Sequence, residues 1–170
     1  MKIIGAVLLV CACTILGMVQ ARKLHFRQSC LEGVLDGLRF IDAELKNGAV
    51  AIPEIFSELC KLPDSRMNKY YVNLNSQINH LGESSLSDIW CGCALGDKSI
   101  SLSERQRQEL SRLGSYLGRY SENEQSEAIC VCIEHLEAQL ISSSEKARQG
   151  GRLYMGLGFT FGLMLAAVLI

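Results

Sequence analysis

The feature that most constrains this chain is a charge-free segment at its C-terminal end, residues 153–170. The only polar side chains in it are Tyr154 and Thr160. As a helix with a rise of about 1.5 Å per residue, this segment would extend about 27 Å, close to the hydrocarbon thickness of a bilayer. A second charge-free segment, residues 3–21, occupies the N-terminal end. The sequence therefore predicts two transmembrane helices, with a polar domain at 24–149 between them.

Basic residues flank both charge-free segments on the side that faces the central domain. They are Arg22, Lys23 and Arg27 after the first segment, and Lys146, Arg148 and Arg152 before the second. Because Lys and Arg collect on the cytoplasmic side of membrane helices, we expect a cytoplasmic central domain and both termini across the membrane. A cleaved signal peptide is the alternative for residues 3–21, since Val19-Gln20-Ala21 suits a cleavage site. The length of the apolar run and the heavier basic cluster behind it favour a retained helix.

The central domain has the periodicity of helices throughout. Apolar residues recur at spacings of three, four and seven, as in the run from Leu31 to Leu45. Start and stop signals punctuate this pattern at Gly48, Pro53, Ser85–Asp88, Ser101–Glu104 and Ser121. No stretch alternates between apolar and polar residues as a strand would. The predicted fold is all-α, a cytoplasmic bundle of about six helices flanked by two transmembrane helices.

Charge and motif content exclude several classes of function. With Lys2 set aside, 16 of the 17 basic residues stand against 18 acidic ones, so no basic field exists for a phosphate backbone and nucleic-acid binding is not expected. No glycine-rich loop ends in Gly-Lys-Ser/Thr. The nearest approach to a catalytic set is Cys132 with His135, one helical turn apart. Neither charge-free segment carries a charge for an ion pathway, so we expect neither an enzyme nor a transporter, and no cofactor or metal.

The cysteines are the remaining chemical signal. There are eight of them: Cys11, Cys13, Cys30, Cys60, Cys91, Cys93, Cys130 and Cys132. A cytoplasmic domain keeps its thiols reduced, and the two residues of a Cys-x-Cys pair on a helix point about 200° apart, so they cannot face one metal ion. Packing is therefore the favoured role. Two alternatives stay open: a membrane-anchored, cysteine-dependent metal or redox protein, and an exported, disulfide-bonded helical protein cleaved after Ala21.

Glycines four residues apart mark two candidate interaction sites. Gly158 and Gly162, in the second charge-free segment, form a small-xxx-small pair that lets two helix backbones meet closely in lipid. Gly114 and Gly118 would lie one turn apart on a helix of the bundle and open a groove for another helix. Packing inside the bundle is the favoured role of this second pair. For the first pair, chance and a helix interface are equal alternatives.

Four stretches of the sequence carry a family resemblance. They are Leu38-Arg-Phe-Ile-Asp-Ala-Glu-Leu-Lys-Asn-Gly48, Pro53-Glu-Ile-Phe, Leu113-Gly-Ser-Tyr-Leu-Gly118 with Gln125, and Gly151-Arg-Leu-Tyr-Met-Gly-Leu-Gly158. In their order and spacing they resemble the stage III sporulation protein AB family over nearly the whole chain. One departure is Glu122, where an aspartate is expected, but a carboxylate still stands at the start of a helix.

This resemblance implies a membrane component of a secretion-like channel complex in endospore-forming bacteria, located in the mother-cell membrane around the forespore. The family's domain is similar to the cytoplasmic helical domain of the F component of type II secretion systems. The implied partners are the other membrane subunits, a cytoplasmic secretion-type ATPase and the lipid bilayer, and a homo-oligomer stays open. The residues expected at interaction surfaces are Gly114, Gly118, Gln125, Arg152, Tyr154, Gly158 and Gly162.

Overall fold

The computed structural model describes the backbone of residues 2–48, 51–61, 65–78 and 84–169, and most of the side chains between 22 and 144. These described residues form six α-helices and no β-strand. The helices are α1 (Lys2–Asn47), α2 (Ile52–Leu59), α3 (Ser65–Ile78), α4 (Leu86–Gly96), α5 (Glu104–Leu113) and α6 (Glu122–Leu169). The predicted all-α fold is confirmed.

The two charge-free segments are continuous with the first and last helices. α1 runs from the first charge-free segment into the centre of the chain, and α6 runs from the centre into the second. No helix boundary separates either segment from the centre, because neither junction contains a proline to interrupt the hydrogen bonds. Among the residues searched, which are those the structure describes, no helix has an apolar stretch long enough to cross a bilayer. Nearly all side chains of the predicted spans at 3–21 and 153–170 lie outside the described residues.

The chain divides into two compact units. One consists of residues 1–28 with residues 141–170, and the other of residues 29–140. The second, which we call the central unit, lies within the predicted central domain at 24–149 and contains the hydrophobic core.

The core of the central unit draws on all six helices. α1 contributes a buried stripe at the predicted spacings of three and four residues, made of Leu31, Val34, Leu35, Leu38, Ile41 and Leu45. Phe56 of α2 and Trp90 of α4 meet at its centre, with ring centroids 5.8 Å apart. Burial of each large apolar side chain contributes about 1.5–3 kcal/mol, which makes this core the main stabilising feature of the unit.

Polar caps begin α4 and α6 where the sequence predicts them. The Ser85 hydroxyl accepts a hydrogen bond from the N–H of Asp88 (3.2 Å) at the start of α4. At the start of α6, the Ser121 hydroxyl accepts one from the N–H of Glu124, and the Glu124 carboxylate accepts one from the N–H of Ser121. Each cap satisfies amide groups that the first helical turn leaves without a partner.

The cap of α5 lies two residues later than predicted. The reciprocal capping box is Ser103–Gln106, not Ser101–Glu104. The guanidinium of Arg107 explains the shift, because it donates to the carbonyls of Ala94 (3.0 Å) and Ile100 (2.7 Å). These bonds hold the preceding segment against the end of α4, with the Ile100 side chain buried, so the helix begins only after this segment.

α3 packs against α1 at a point where the residues of α1 in contact are glycines. The hydroxyl of Tyr71 donates a hydrogen bond to the carbonyl of Gly33 (2.8 Å). A Cβ added at Gly37, one turn later, would overlap the same hydroxyl oxygen. The two helices therefore approach this closely only because residue 37 is glycine.

Polar contacts orient α6 along α1. Asp42 of α1 accepts hydrogen bonds from the hydroxyl of Ser126 on α6 (2.5 Å) and from the ammonium of Lys46 (2.7 Å). Arg39 pairs with Glu137 of α6. The Arg39 pair is exposed and contributes only about 0.2–1 kcal/mol, so the apolar core stabilises this packing and the polar contacts set its register.

We expect Gly37→Ala to lower the free energy of unfolding by about 1–3 kcal/mol, because a methyl group is forced against the Tyr71 hydroxyl. Chemical denaturation of the purified chain measures the change. Gly92→Ala on α4 is the matched control, since a Cβ there meets no atom within 4 Å and alanine favours a helix by about 1 kcal/mol.

Tyr71→Phe provides a second arm of this test. It removes the oxygen that the added methyl group would meet, so the double variant should lose less stability than the sum of the two single variants. A Gly37→Ala variant as stable as the Gly92→Ala control would contradict the close approach of α1 and α3.

Candidate functional site

A surface groove lies between the end of α5, the turn segment at 114–121 and the first half of α6. We call it the α5–α6 groove. Its volume is about 590 Å³. Aromatic, aliphatic and charged side chains line it, including Glu109, Arg112, Tyr116, Tyr120, Glu127, Val131, Cys132 and His135.

Gly114 lets the end of α5 pack closely on α4. α5 ends at Leu113, and Gly114 is its C-cap. A Cβ at Gly114 would lie 2.8 Å from Cδ1 of Trp90 and 3.2 Å from Sγ of Cys91. The Trp90 indole N–H donates a hydrogen bond to the carbonyl of Leu110 (2.6 Å). This bond also holds α4 against α5. In this structure Gly114 serves packing inside the central unit.

Gly118 and Gln125 determine the shape of the turn segment. Gly118 has φ +76°, a left-handed conformation that residues with a side chain rarely adopt. The N–H of Gly118 donates to Oε1 of Gln125 (3.0 Å), and Nε2 of Gln125 donates to the carbonyl of Tyr120 (2.7 Å). The Gln125 side chain is buried. One amide group thus satisfies two backbone groups of the turn and joins them to α6.

The helical groove that the sequence predicts between Gly114 and Gly118 does not exist in this form. It would require α5 to continue through both glycines, whereas residues 114–119 form turns. Gly118 has a left-handed conformation and its N–H bonds to the Gln125 side chain, so the chain is not helical at this residue. A Cβ at Gly118 would lie 3.0 Å from Cδ2 of Leu86, so this glycine also permits a close internal approach.

Two tyrosines form one wall of the α5–α6 groove. The rings of Tyr116 and Tyr120 have centroids 5.6 Å apart. Their exposed fractions are 45% and 51%, and that of Val131 across the groove is 46%. Three large apolar or aromatic side chains that share one groove and remain half exposed differ from apolar residues scattered singly over a surface.

Carboxylates outnumber cations in the groove. Glu109, Glu124 and Glu127 line it against the single guanidinium of Arg112. The Glu109 carboxylate lies 3.4 Å from Arg112 and 3.5 Å from Nδ1 of His135. Hydrogen bonds from the hydroxyl and N–H of Ser121 hold the pKa of Glu124 below its usual value, so this carboxylate stays ionised in its cap.

The cysteine pairs lie on helices, as their predicted packing role requires. Cys91 and Cys93 are on α4, and Cys130 and Cys132 are on α6, so the two side chains of each pair point to different sides. In the part of the chain that the structure describes, no group of three or more His, Cys, Asp or Glu side chains could hold a metal ion.

Cys132 and His135 meet the same residue rather than each other. The Cys132 thiol donates to the backbone carbonyl of Glu109 (3.8 Å), whereas the His135 ring faces the carboxylate of Glu109. Burial raises the pKa of Cys132 to about 12 and that of Cys93 to about 11. Both thiols therefore stay neutral at physiological pH, which disfavours nucleophilic or redox chemistry there.

The structure gathers three of the predicted interaction residues at the turn segment: Gly114, Gly118 and Gln125. The other four, Arg152, Tyr154, Gly158 and Gly162, belong to α6, and their burial and contacts lie outside what the structure describes. Sequence reasoning missed the tyrosine wall. Its signal is the spacing of four between Tyr116 and Tyr120 around Gly118.

We expect stability to fall at alkaline pH because of the two buried thiols. An unfolded thiol ionises near pH 8.5 to 9, whereas Cys93 and Cys132 keep their protons up to about pH 11 and 12. Above about pH 9 the unfolded chain therefore binds fewer protons than the folded chain, so the free energy of unfolding falls as pH rises. The pair should contribute a loss of roughly 3 kcal/mol at about pH 10.

Denaturant midpoints of the wild type and of the Cys93→Ala, Cys132→Ala double variant, at about pH 7.5 and about pH 10, measure this loss. The double variant should show a flatter pH dependence. An equally steep fall in both proteins would contradict the assignment to these thiols.

Comparisons with known proteins agree with the resemblance drawn from the sequence. The family described as Stage III sporulation protein AB matches residues 2–170. The chain is also similar to Stage III sporulation protein AB of Bacillus subtilis (strain 168), with 22% identity over 177 residues that cover 100% of this chain and 99% of that protein. No solved structure matches significantly. On the evidence of a family match that extends from one end to the other, the chain belongs to the stage III sporulation protein AB family.

Proposed function

We propose that this protein is a non-enzymatic platform subunit of a secretion-like channel complex that operates during endospore formation. The observation that carries the proposal is the extent of the family match, which includes both charge-free ends as well as the helical centre. A role in sporulation follows from the family, and the platform role follows from the arrangement of apolar ends around a helical unit.

The proposed membrane anchorage is supported by sequence and helix continuity together. Residues 3–21 and 153–170 carry no charge, and α1 and α6 continue through them without a loop. The basic residues that flank both segments on the central side support a cytoplasmic location of the central unit, by the positive-inside rule. In this arrangement both termini cross the mother-cell membrane around the forespore.

The proposed scaffold role is supported by how the central unit uses its polar side chains. Arg107, Trp90 and Gln125 each donate to backbone carbonyls of neighbouring segments, so they hold the fold together. The thiols of Cys93 and Cys132 are kept neutral by burial. The unit also presents the α5–α6 groove on its surface. We extend the proposal to a cytoplasmic ATPase as a partner, because the resemblance implies a domain similar to the F component of type II secretion systems.

The topology can be tested by protease accessibility in spheroplasts of cells that produce the protein in the cell membrane before a forespore is enclosed, so that added protease reaches the extracytoplasmic side. One protease site is placed at the N-terminus and another after Lys98, an exposed residue between α4 and α5. Cleavage at the N-terminus with protection after Lys98 is the expected result, and lysed cells provide the control for cleavage at both sites. Cleavage after Lys98 in intact spheroplasts would place the central unit outside and refute the proposal. It would also restore the disulfide-bonded alternative.

The glycine pair of the second charge-free segment gives a second test. Gly158→Leu or Gly162→Leu should weaken co-purification of membrane partners roughly tenfold, because a large side chain keeps the helix backbones apart. The unfolding transition of the central unit should not change. Gly156→Leu is the matched control, since residue 156 lies on a different side of the helix. Equal recovery of partners with all three variants would contradict a helix interface at this glycine pair.

A further inference from the structure

We propose that the α5–α6 groove binds a basic amphipathic helix of a partner protein. This inference rests on the proposed function for the existence of a partner in the same complex, and it adds the surface and the chemistry of the contact. The dimensions of the groove, its exposed aromatic side chains and the sign of its charge each support it.

The groove has the dimensions of one face of a short helix. Along α6 it extends from Glu124 to His135, which corresponds to about 16 Å of helix. An occupying helix of that length and about 10 Å in diameter would have a volume of about 1,300 Å³, whereas the groove offers about 590 Å³. The groove therefore accommodates the side chains of one helical face and leaves the opposite face in solvent.

The apolar part of the groove defines what that face carries. Ala128 and Cys132 line the groove together with Val131 and the two tyrosines. Side chains such as leucine at positions i, i+4 and i+7 of an occupying helix would cover these groups from water.

The charge of the groove selects a basic occupant. Arg112 already lies beside Glu109, and Glu124 is engaged in the cap of α6. Glu127 is exposed and has neither an ion pair nor a hydrogen bond from its side chain among the described residues. An arginine of the occupant can pair with Glu127 and lie over the ring of Tyr116 or Tyr120, which combines ion pairing with a cation–π contact.

Binding of a designed probe to the full-length protein tests this inference. The protein is placed in nanodiscs of zwitterionic lipid, and empty nanodiscs give the background. The probe is a fluorescent helical peptide of about 14 residues, long enough to span the groove, with leucines on one face and arginines flanking them. The control probe has glutamate at every arginine. The arginine probe should bind measurably and the glutamate probe should not.

Matched variants then locate the bound probe. Glu127→Lys should weaken binding roughly fivefold by reversing one exposed charge. Tyr116→Ala should weaken it roughly tenfold by removing an aromatic anchor. Glu134→Lys makes the same charge change on α6 outside the groove, and Val72→Ala truncates a half-exposed side chain of α3. Both control variants should bind the probe within about twofold of wild type.

Several results would overturn the inference. Equal binding of both probes would show that charge does not select the occupant. Equal weakening by Glu127→Lys and Glu134→Lys would show that the overall surface charge, and not Glu127 in the groove, attracts the probe. Self-association of the wild type that Glu127→Lys abolishes would make a second copy of the chain the occupant. Unchanged thermal unfolding of Glu127→Lys ensures that a loss of binding reflects the groove.

The probe assay also separates this inference from the proposed function. Protease accessibility decides the membrane arrangement without involving the groove. A groove that fails to bind the arginine probe in a protein with the expected topology refutes only the docking site. A groove that binds the probe in a protein with a cleaved loop site refutes only the platform.

Discussion

The connection between α5 and α6 depends on the side-chain amide of Gln125. An amide donates and accepts hydrogen bonds at once, and Gln125 uses both abilities, for the N–H of Gly118 and for the carbonyl of Tyr120. Leaving a buried polar group without its partner costs about 1–3 kcal/mol, so no apolar residue could replace it at the same stability. Because the two bonded groups lie two residues apart in the turn, this one side chain also determines where the tyrosine wall stands relative to α6.

Most of the helices could be predicted because their patterns are local. The stripe from Leu31 to Leu45 shows its spacing directly in the sequence, and a cap such as Ser121 needs only its neighbours within one turn. The start and end of α5 could not be predicted in this way. Its start depends on contacts from Arg107 to residues on two other segments. Its end is at Gly114, where the chain packs closely on Trp90 and Cys91 of α4. Such contacts belong to the tertiary structure, and they override local propensity.

The candidate site shows the same division. Gly114, Gly118 and Gln125 make contacts inside the central unit that shape the turn segment, and their expected place at an interaction surface stays a prediction. The same turn presents two half-exposed tyrosines, Tyr116 and Tyr120, side by side. Read as a helix, the segment would also place Tyr116 and Tyr120 one turn apart. The sequence alone does not show that α6 brings Val131 and two glutamates into the same groove, or that α5 adds a third glutamate. A groove between two elements requires their packing, which only the three-dimensional structure provides.

The energetics of the α5–α6 groove explain why a membrane platform suits it. A half-exposed tyrosine has about 100 Å² still open to water, so covering Tyr116, Tyr120 and Val131 removes roughly 250–300 Å² and gains about 7 kcal/mol. Association alone costs an estimated 4–15 kcal/mol, and an exposed ion pair with Glu127 adds at most about 1 kcal/mol. The groove by itself therefore supports only weak binding. If the protein and its partner are held in one complex at the same membrane, the effective concentration rises and the same contact becomes well populated. The contact would then form inside the assembly and release readily outside it.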